Sequence, residues 1–139
     1  MAFFDSKDSV FQFNNGSLRN LSAYITSLEG LPGPREMYDK TALGDTGRKY
    51  FGGLENVVIT LDGLYDDTAT TGPEAVLGPE RSLNTDRAWD YGPKGSTAAF
   101  LKYSGNCLVR DFRHTSRVGN LVGWHAELVV QGAVTRGTY

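Results

Sequence analysis

Two histidines, one cysteine and a few clustered carboxylates are the groups of this 139-residue chain on which nucleophilic or metal chemistry would have to rest. A thiol needs a base on its own side of a strand to become a nucleophile. Cys107 and His114 lie seven residues apart in a strand-like segment, and an odd offset sends their side chains to opposite faces. Cys107 is therefore expected to be a buried structural thiol. His125 falls on the polar face of its strand, and two histidines without a cysteine cluster are too few for a zinc site. Asp62, Asp66, Asp67 and Glu74 form the most metal-like group, because neighbouring carboxylate oxygens attract calcium or magnesium. They lack EF-hand spacing, and a strand end followed by a helix start favours acids for local reasons. Arg110, Arg113 and Arg117 make the one basic cluster, which Asp111 and Glu127 are placed to neutralise as an ion-pair patch. Neither a Gly-Lys-Ser/Thr phosphate loop nor a Gly-x-Gly-x-x-Gly motif after a strand occurs. The expectation is a chain without catalytic residues, metal or cofactor, whose function is its surface.

The elements that would hold that surface are mostly strands. Residues 121–131 alternate, with Val122, Trp124, Ala126, Leu128 and Val130 on one face and Gly123, His125, Glu127 and Gln131 on the other. Residues 107–115 form the preceding strand, with Leu108 and Phe112 sharing a face with Arg110 and His114, and the turn Arg117-Val118-Gly119-Asn120 joins the two as a hairpin. Residues 57–65 read as a central strand with Val57, Ile59, Leu61 and Tyr65 inward and Thr60 and Asp62 outward. Further strands are expected at 10–13, 24–28, 87–91 and 97–103. One short helix is predicted over 71–77, with Thr71 as cap, Pro73 in the first turn and Gly78-Pro79 as the stop. Seven or so short strands separated by turns describe a mainly β fold, a β-sandwich or barrel.

Size and composition bound this reading. At 15.2 kDa and 40% apolar residues, the chain suits a single domain over 1–139. Seventeen glycines and sixteen aromatic residues favour turns and strands over helices. A net charge of −2 excludes the broad cationic surface of a dedicated nucleic-acid binder. Charges at Asp5, Lys7 and Asp8 interrupt any signal-peptide core, and no apolar run is long enough to span a bilayer. The lone cysteine excludes an intrachain disulfide, so an intracellular setting is the default expectation. Two stretches resist a compact fold: an N-terminal arm over 1–8, with Phe3 and Phe4, and a long loop over 30–54. Structureless loops of that length are uncommon unless functional, and Tyr50 and Phe51 within it are expected to find a partner surface.

Read in order, several segments resemble the major tail tube proteins of long, non-contractile-tailed bacteriophages. They are Asp8-Ser9-Val10-Phe11-Gln12-Phe13, Leu21-Ser22-Ala23-Tyr24-Ile25-Thr26-Ser27-Leu28-Glu29-Gly30-Leu31-Pro32-Gly33, Ala42-Leu43-Gly44-Asp45-Thr46-Gly47-Arg48-Lys49-Tyr50, Leu61-Asp62-Gly63-Leu64-Tyr65-Asp66-Asp67 and Gly132-Ala133-Val134-Thr135-Arg136-Gly137. The resemblance implies a β-sandwich tail tube fold with one short flanking helix, in a virion protein that is not an enzyme. It implies self-assembly into hexameric rings that stack around a tape measure protein, in the host cytoplasm, into a tube that later conducts double-stranded DNA. Tail terminator and distal tail proteins would meet the tube ends, and no membrane partner is implied. Carried onto this chain, the inter-ring contact loop corresponds to Gly44, Asp45, Thr46, Gly47, Arg48, Lys49, Tyr50 and Phe51, with Phe3 and Phe4 of the arm bridging as well. Asp62 and Glu127, on polar strand faces, are candidate lumen-facing acids. Two other functions compete: a terminator or neck ring of the same fold, and a sugar-binding β-sandwich that would use Trp89, Tyr91 and Tyr103 as stacking platforms.

Overall fold

The computed structural model describes residues 2–139. Nine strands follow one another: β1 Val10–Asn14, β2 Leu18–Asn20, β3 Ile25–Glu29, β4 Arg35–Asp39, β5 Tyr50–Glu55, β6 Val58–Leu64, β7 Arg87–Gly92, β8 Leu101–Thr115 and β9 Gly123–Thr138. The helix α1, Pro73–Leu77, lies between β6 and β7. Seven strands make one antiparallel sheet in the order β2-β1-β7-β8-β9-β6-β3, curled into a half-barrel, while β4 and β5 pair only with each other.

Alternation builds the core inside the curl. The β9 residues Trp124, Ala126 and Leu128 stand opposite Gly63, Leu61 and Ile59 of β6, and all but the glycine place a fully buried side chain on one face. Phe11 and Phe13 of β1 lie opposite Tyr91 and Trp89 of β7, and the Phe11 and Trp89 rings stack with centroids 6.4 Å apart. Val76 and Leu77 of α1 are buried in the same cluster. Each such side chain contributes about 1.5–3 kcal/mol by leaving water. Gly63 is required where it stands: a Cβ there would come within 1.9 Å of the Tyr24 carbonyl oxygen and 2.7 Å of the Trp124 indole.

Several expectations need correction. Residues 101–103 of the strand expected at 97–103 belong with 107–115 to one 15-residue strand, β8, which occupies the middle of the sheet, whereas residues 97–100 form the turn before it. The strand expected to be central, β6, is paired on both sides but neighbours the edge strand β3. A β-bulge at Arg110 puts one extra residue into β8, since Val109 pairs Leu128 whereas Asp111 pairs Glu127. A single inserted residue reverses the alternation beyond it. Phe112 and His114 therefore share the face of Cys107, opposite Ala126 and Trp124, and Leu108 lies on the other face. Thr71 does not cap α1; the cap position is Gly72, which has no side chain to offer. After Gly78 the chain continues into a 3-10 turn, Pro79–Ser82, that turns Glu80 inward to meet Arg87 at 2.8 Å. Residues 30–54 are not a structureless loop, because β4 and most of β5 lie within them. No helix among the described residues is long and apolar enough to cross a membrane.

Candidate functional site

The groups first considered for chemistry are occupied elsewhere. Cys107 is completely buried, and burial pushes its thiol up to about 12. Although the bulge returns His114 to the face of Cys107, seven residues of strand separate them by about 20 Å. His114 Nε2 instead meets Glu74 of α1 at 2.7 Å, and its ring lies edge-on to Tyr65 and Phe112. The acidic run is dispersed as well. Asp62 binds His125, Asp66 binds Thr68, and Glu74 binds His114.

On the face turned away from the core, a charge network joins β6, β8 and β9. His125 Nδ1 meets Asp62 at 2.7 Å, which holds the imidazole above its ordinary pKa; its Nε2 faces Glu127 at 3.5 Å. Arg110 reaches from the bulge to donate through Nε to Glu127 at 2.9 Å, and this hydrogen bond lowers the Glu127 carboxyl. Arg113 lies 3.6 Å from Asp111. Asp111, His125 and Glu127 offer ligand atoms within 4.8 Å of one another. Two guanidinium groups already sit on their carboxylates, so the cluster is a neutralised ion-pair patch rather than a cation cage. Asp62 and Glu127 thus share one face, and each is locally matched by a cation or a histidine.

Two surfaces are left unfinished. One is the β4–β5 hairpin, whose residues contribute nothing to the core. Tyr38 stands opposite Phe51 on one face of the ribbon, and Asp39 opposite Tyr50 on the other. Met37, Tyr38, Tyr50, Phe51 and Leu54 are all more than half exposed, and Leu43 at the tip is fully so. A lone two-stranded ribbon is marginal in water. Its tip is nevertheless organised: Lys40 N donates to Lys49 O at 2.9 Å, Ala42 N to Asp45 Oδ2 at 2.7 Å, and Arg48 pairs with Asp39 at 2.9 Å. Hydrogen bonding from Thr41, with a smaller contribution from Arg48, holds the Asp39 carboxyl below its usual range, and the Ala42 N–H together with Lys49 does the same for Asp45. Of the loop residues expected from the sequence, Asp45, Arg48 and Lys49 therefore serve the hairpin itself, Gly44, Thr46 and Gly47 shape its tip, and Tyr50 and Phe51 present apolar surface. In the N-terminal arm Phe3 is exposed, while Phe4 lies under Lys94, whose Nζ is 4.8 Å from the ring centroid.

The second surface is a shallow groove of about 490 Å³ at the far end of β6, lined by Tyr24, Leu64, Tyr65, Leu121 and Val122. Sequence reasoning missed it, and also missed Met37, Tyr38, Leu43 and Leu54 on the hairpin. Their signal was present as apolar residues stranded in Gly-, Pro- and charge-rich segments. The sugar-stacking reading loses its platform, because Trp89 is only 2% exposed and Tyr91 and Tyr103 pack against the core.

The sequence matches no model of a known protein family and no curated protein. The fold, by contrast, has relatives among solved structures. A gene transfer agent tail, refined helically with C6 symmetry, superimposes with a TM-score of 0.76 at 12% identity over 98% of this chain and 100% of the other. This chain has the tail tube fold. The SPP1 tail tube gives 0.75 at 14% identity, covering 99% of this chain and 80% of that one. A sheath/tube terminator of an extracellular contractile injection system gives 0.73 at 11% identity, covering 99% of both. In the tail tube fold of this chain, the hairpin and the groove are among the apolar surfaces that one folded copy leaves uncovered.

Proposed function

We propose that this protein is a tail tube subunit: a structural virion protein, not an enzyme, that self-assembles into hexameric rings stacked as the conduit for genomic double-stranded DNA. The observation that carries this reading is the full-length match in fold to a helical, C6-symmetric tail, in a chain that leaves an apolar hairpin unpacked. Rings form around a tape measure protein in the host cytoplasm, and terminator and distal tail proteins close the two ends. The hairpin, through Tyr50 and Phe51, and the arm, through Phe3 and Phe4, bridge successive rings. A face whose cations are matched by Asp62, Asp111 and Glu127 suits DNA passage, because unmatched cations would release counterions and hold the phosphates. Electron microscopy of the purified chain tests the reading. Tubes are expected, and a strict monomer at high concentration in the presence of tail initiator components refutes it.

The likeness to a tube terminator supports one alternative, a ring that caps a tube instead of extending it. Such a protein forms isolated rings and no filaments in the same images.

A further inference from the structure

Of the seven asparagines in the chain, Asn15 alone is followed by glycine. The pairing matters because the backbone nitrogen of the next residue can attack an asparagine side-chain amide at Cγ and close a succinimide ring. A side chain on that next residue crowds the attack, and glycine has none. The other six asparagines precede Asn15, Leu21, Val57, Thr85, Cys107 and Leu121.

The fold leaves the pair free to react. Residues 15–17 turn the chain from β1 into β2, and Gly16 and Ser17 are exposed. A Cβ built at Gly16 would meet nothing within 4 Å, so the tip stands clear of the rest of the chain. The side-chain oxygens of Asn14 and Asn20 accept backbone N–H groups at 2.9 Å, whereas the Asn15 amide forms no hydrogen bond among the described residues. The turn is lightly held. Asn15 N donates to Ser17 O at 3.4 Å, Gly16 N donates to Asn14 Oδ1, and β2 is a three-residue edge strand paired only with β1. Surface turns of this kind open at far less than the cost of global unfolding. Asp62-Gly63 is the internal contrast, since an aspartate before glycine can close the same ring. Gly63, however, lies inside β6, paired with Trp124 on one side and Ile25 on the other, and is wedged against the Tyr24 carbonyl. The two sites differ in freedom to bend, not in the residue that follows.

We propose that Asn15 is a site of spontaneous deamidation in the folded protein. Gly16 N attacks Asn15 Cγ, the Cγ–Nδ2 bond breaks, and ammonia leaves with the proton lost from Gly16 N. Water then opens the succinimide. Cleavage of the bond between Cγ and Gly16 N gives aspartate at position 15. Cleavage of the bond between the main-chain carbonyl carbon of residue 15 and Gly16 N gives isoaspartate, which routes the backbone through Cβ and Cγ. Either product lowers the net charge by one from −2. Isoaspartate also adds a main-chain carbon to the turn that closes β2 on β1, and so loosens the edge strand. This chemistry does not depend on the tail tube reading.

The test incubates the purified full chain at neutral and at mildly alkaline pH. Ion exchange follows charge, and mass spectrometry of the tryptic peptide Asp8–Arg19, with an isoaspartate assay, locates the change. Wild type is expected to gain acidic species that map to Asn15, faster at the higher pH, while Asp62 stays unmodified. Gly16→Ala is expected to react roughly tenfold more slowly, because its methyl restricts the attacking nitrogen. Asn15→Gln, whose ring closure needs one more carbon, is expected to gain no acidic species in the same period. Melting temperature monitors folding. Should Gly16→Ala unfold because its backbone must hold a φ of +114°, Asn15→Gln carries the comparison. In the isoaspartate fraction, amide hydrogens of Leu18–Asn20 are expected to exchange faster than in the unmodified protein. A folded wild type whose Asn15 stays intact while the urea-unfolded chain deamidates overturns the proposal, because the fold then protects the turn. Charge gain that maps to another asparagine, or a folded Gly16→Ala protein that reacts at the wild-type rate, overturns it as well.

Discussion

Replacing Tyr50 and Phe51 together by serine separates folding from assembly. Tyr50 is 53% exposed and Phe51 62% exposed, and neither belongs to the core. Substitutions at such positions usually change stability by no more than about 0.5 kcal/mol, so the melting temperature of the isolated subunit should hardly move. A contact with another copy is a different matter. With roughly 200 Å² for a large aromatic side chain, the exposed parts of the two residues amount to about 230 Å². If docking covers half of that, about 115 Å² at about 25 cal/mol per Å² gives roughly 3 kcal/mol lost per contact. That corresponds to about a hundredfold weaker association for each docked hairpin. The assay is the critical concentration for tube growth by sedimentation, run beside a thermal melt of the dilute subunit. A double variant that unfolds refutes the reasoning, because the hairpin would then belong to the core. A double variant that polymerises at the wild-type concentration refutes it equally, because the aromatic pair would then not be buried between copies.

Three further outcomes are expected. Trp124→Ala should destabilise the fold by about 3–5 kcal/mol in chemical denaturation, since it empties a fully buried site and removes the indole N–H donated to Leu64 O at 3.0 Å. Gly63→Ala should cost about 1–3 kcal/mol or more in the same assay, because the new methyl collides with the Tyr24 carbonyl, a backbone group that cannot swing aside. The raised pKa of His125 adds stability that is complete below its unfolded value of about 6.5 and fades as pH rises through the higher folded value. It faces Asp62 and Glu127, with Arg113 opposing. In His125→Gln the fall of melting temperature on the alkaline side of pH 6.5 should flatten, while the acid-side loss from the lowered Glu127, Asp39 and Asp45 persists.

The charge network shows how a one-residue feature redirects a surface. Without the bulge at Arg110, strict alternation would put His114 on the outer face and Arg113 on the core side. With it, Arg113 and Asp111 join His125 and Glu127 outside, and His114 turns under α1 to meet Glu74. Nothing in the local pattern announces the extra residue, since Arg110 and Asp111 are equally acceptable in a strand facing water.

The sequence by itself determined that this is a β protein with one short helix, that Trp124, Ala126, Leu128 and Val130 face a core with Ile59 and Leu61, and that Tyr50 and Phe51 lie outside it. Period-two alternation and the high cost of burying charge make such assignments local matters. Tertiary structure alone decided that residues 101–115 form one strand, that the long loop is a paired hairpin, and that Leu64, Tyr65, Leu121 and Val122 converge on one groove. Those facts depend on which strands become neighbours. Pairing partners as far apart in sequence as Val10 and Gly92, or Val58 and Val129, are selected by the closure of the whole sheet, and no short window of residues carries that choice.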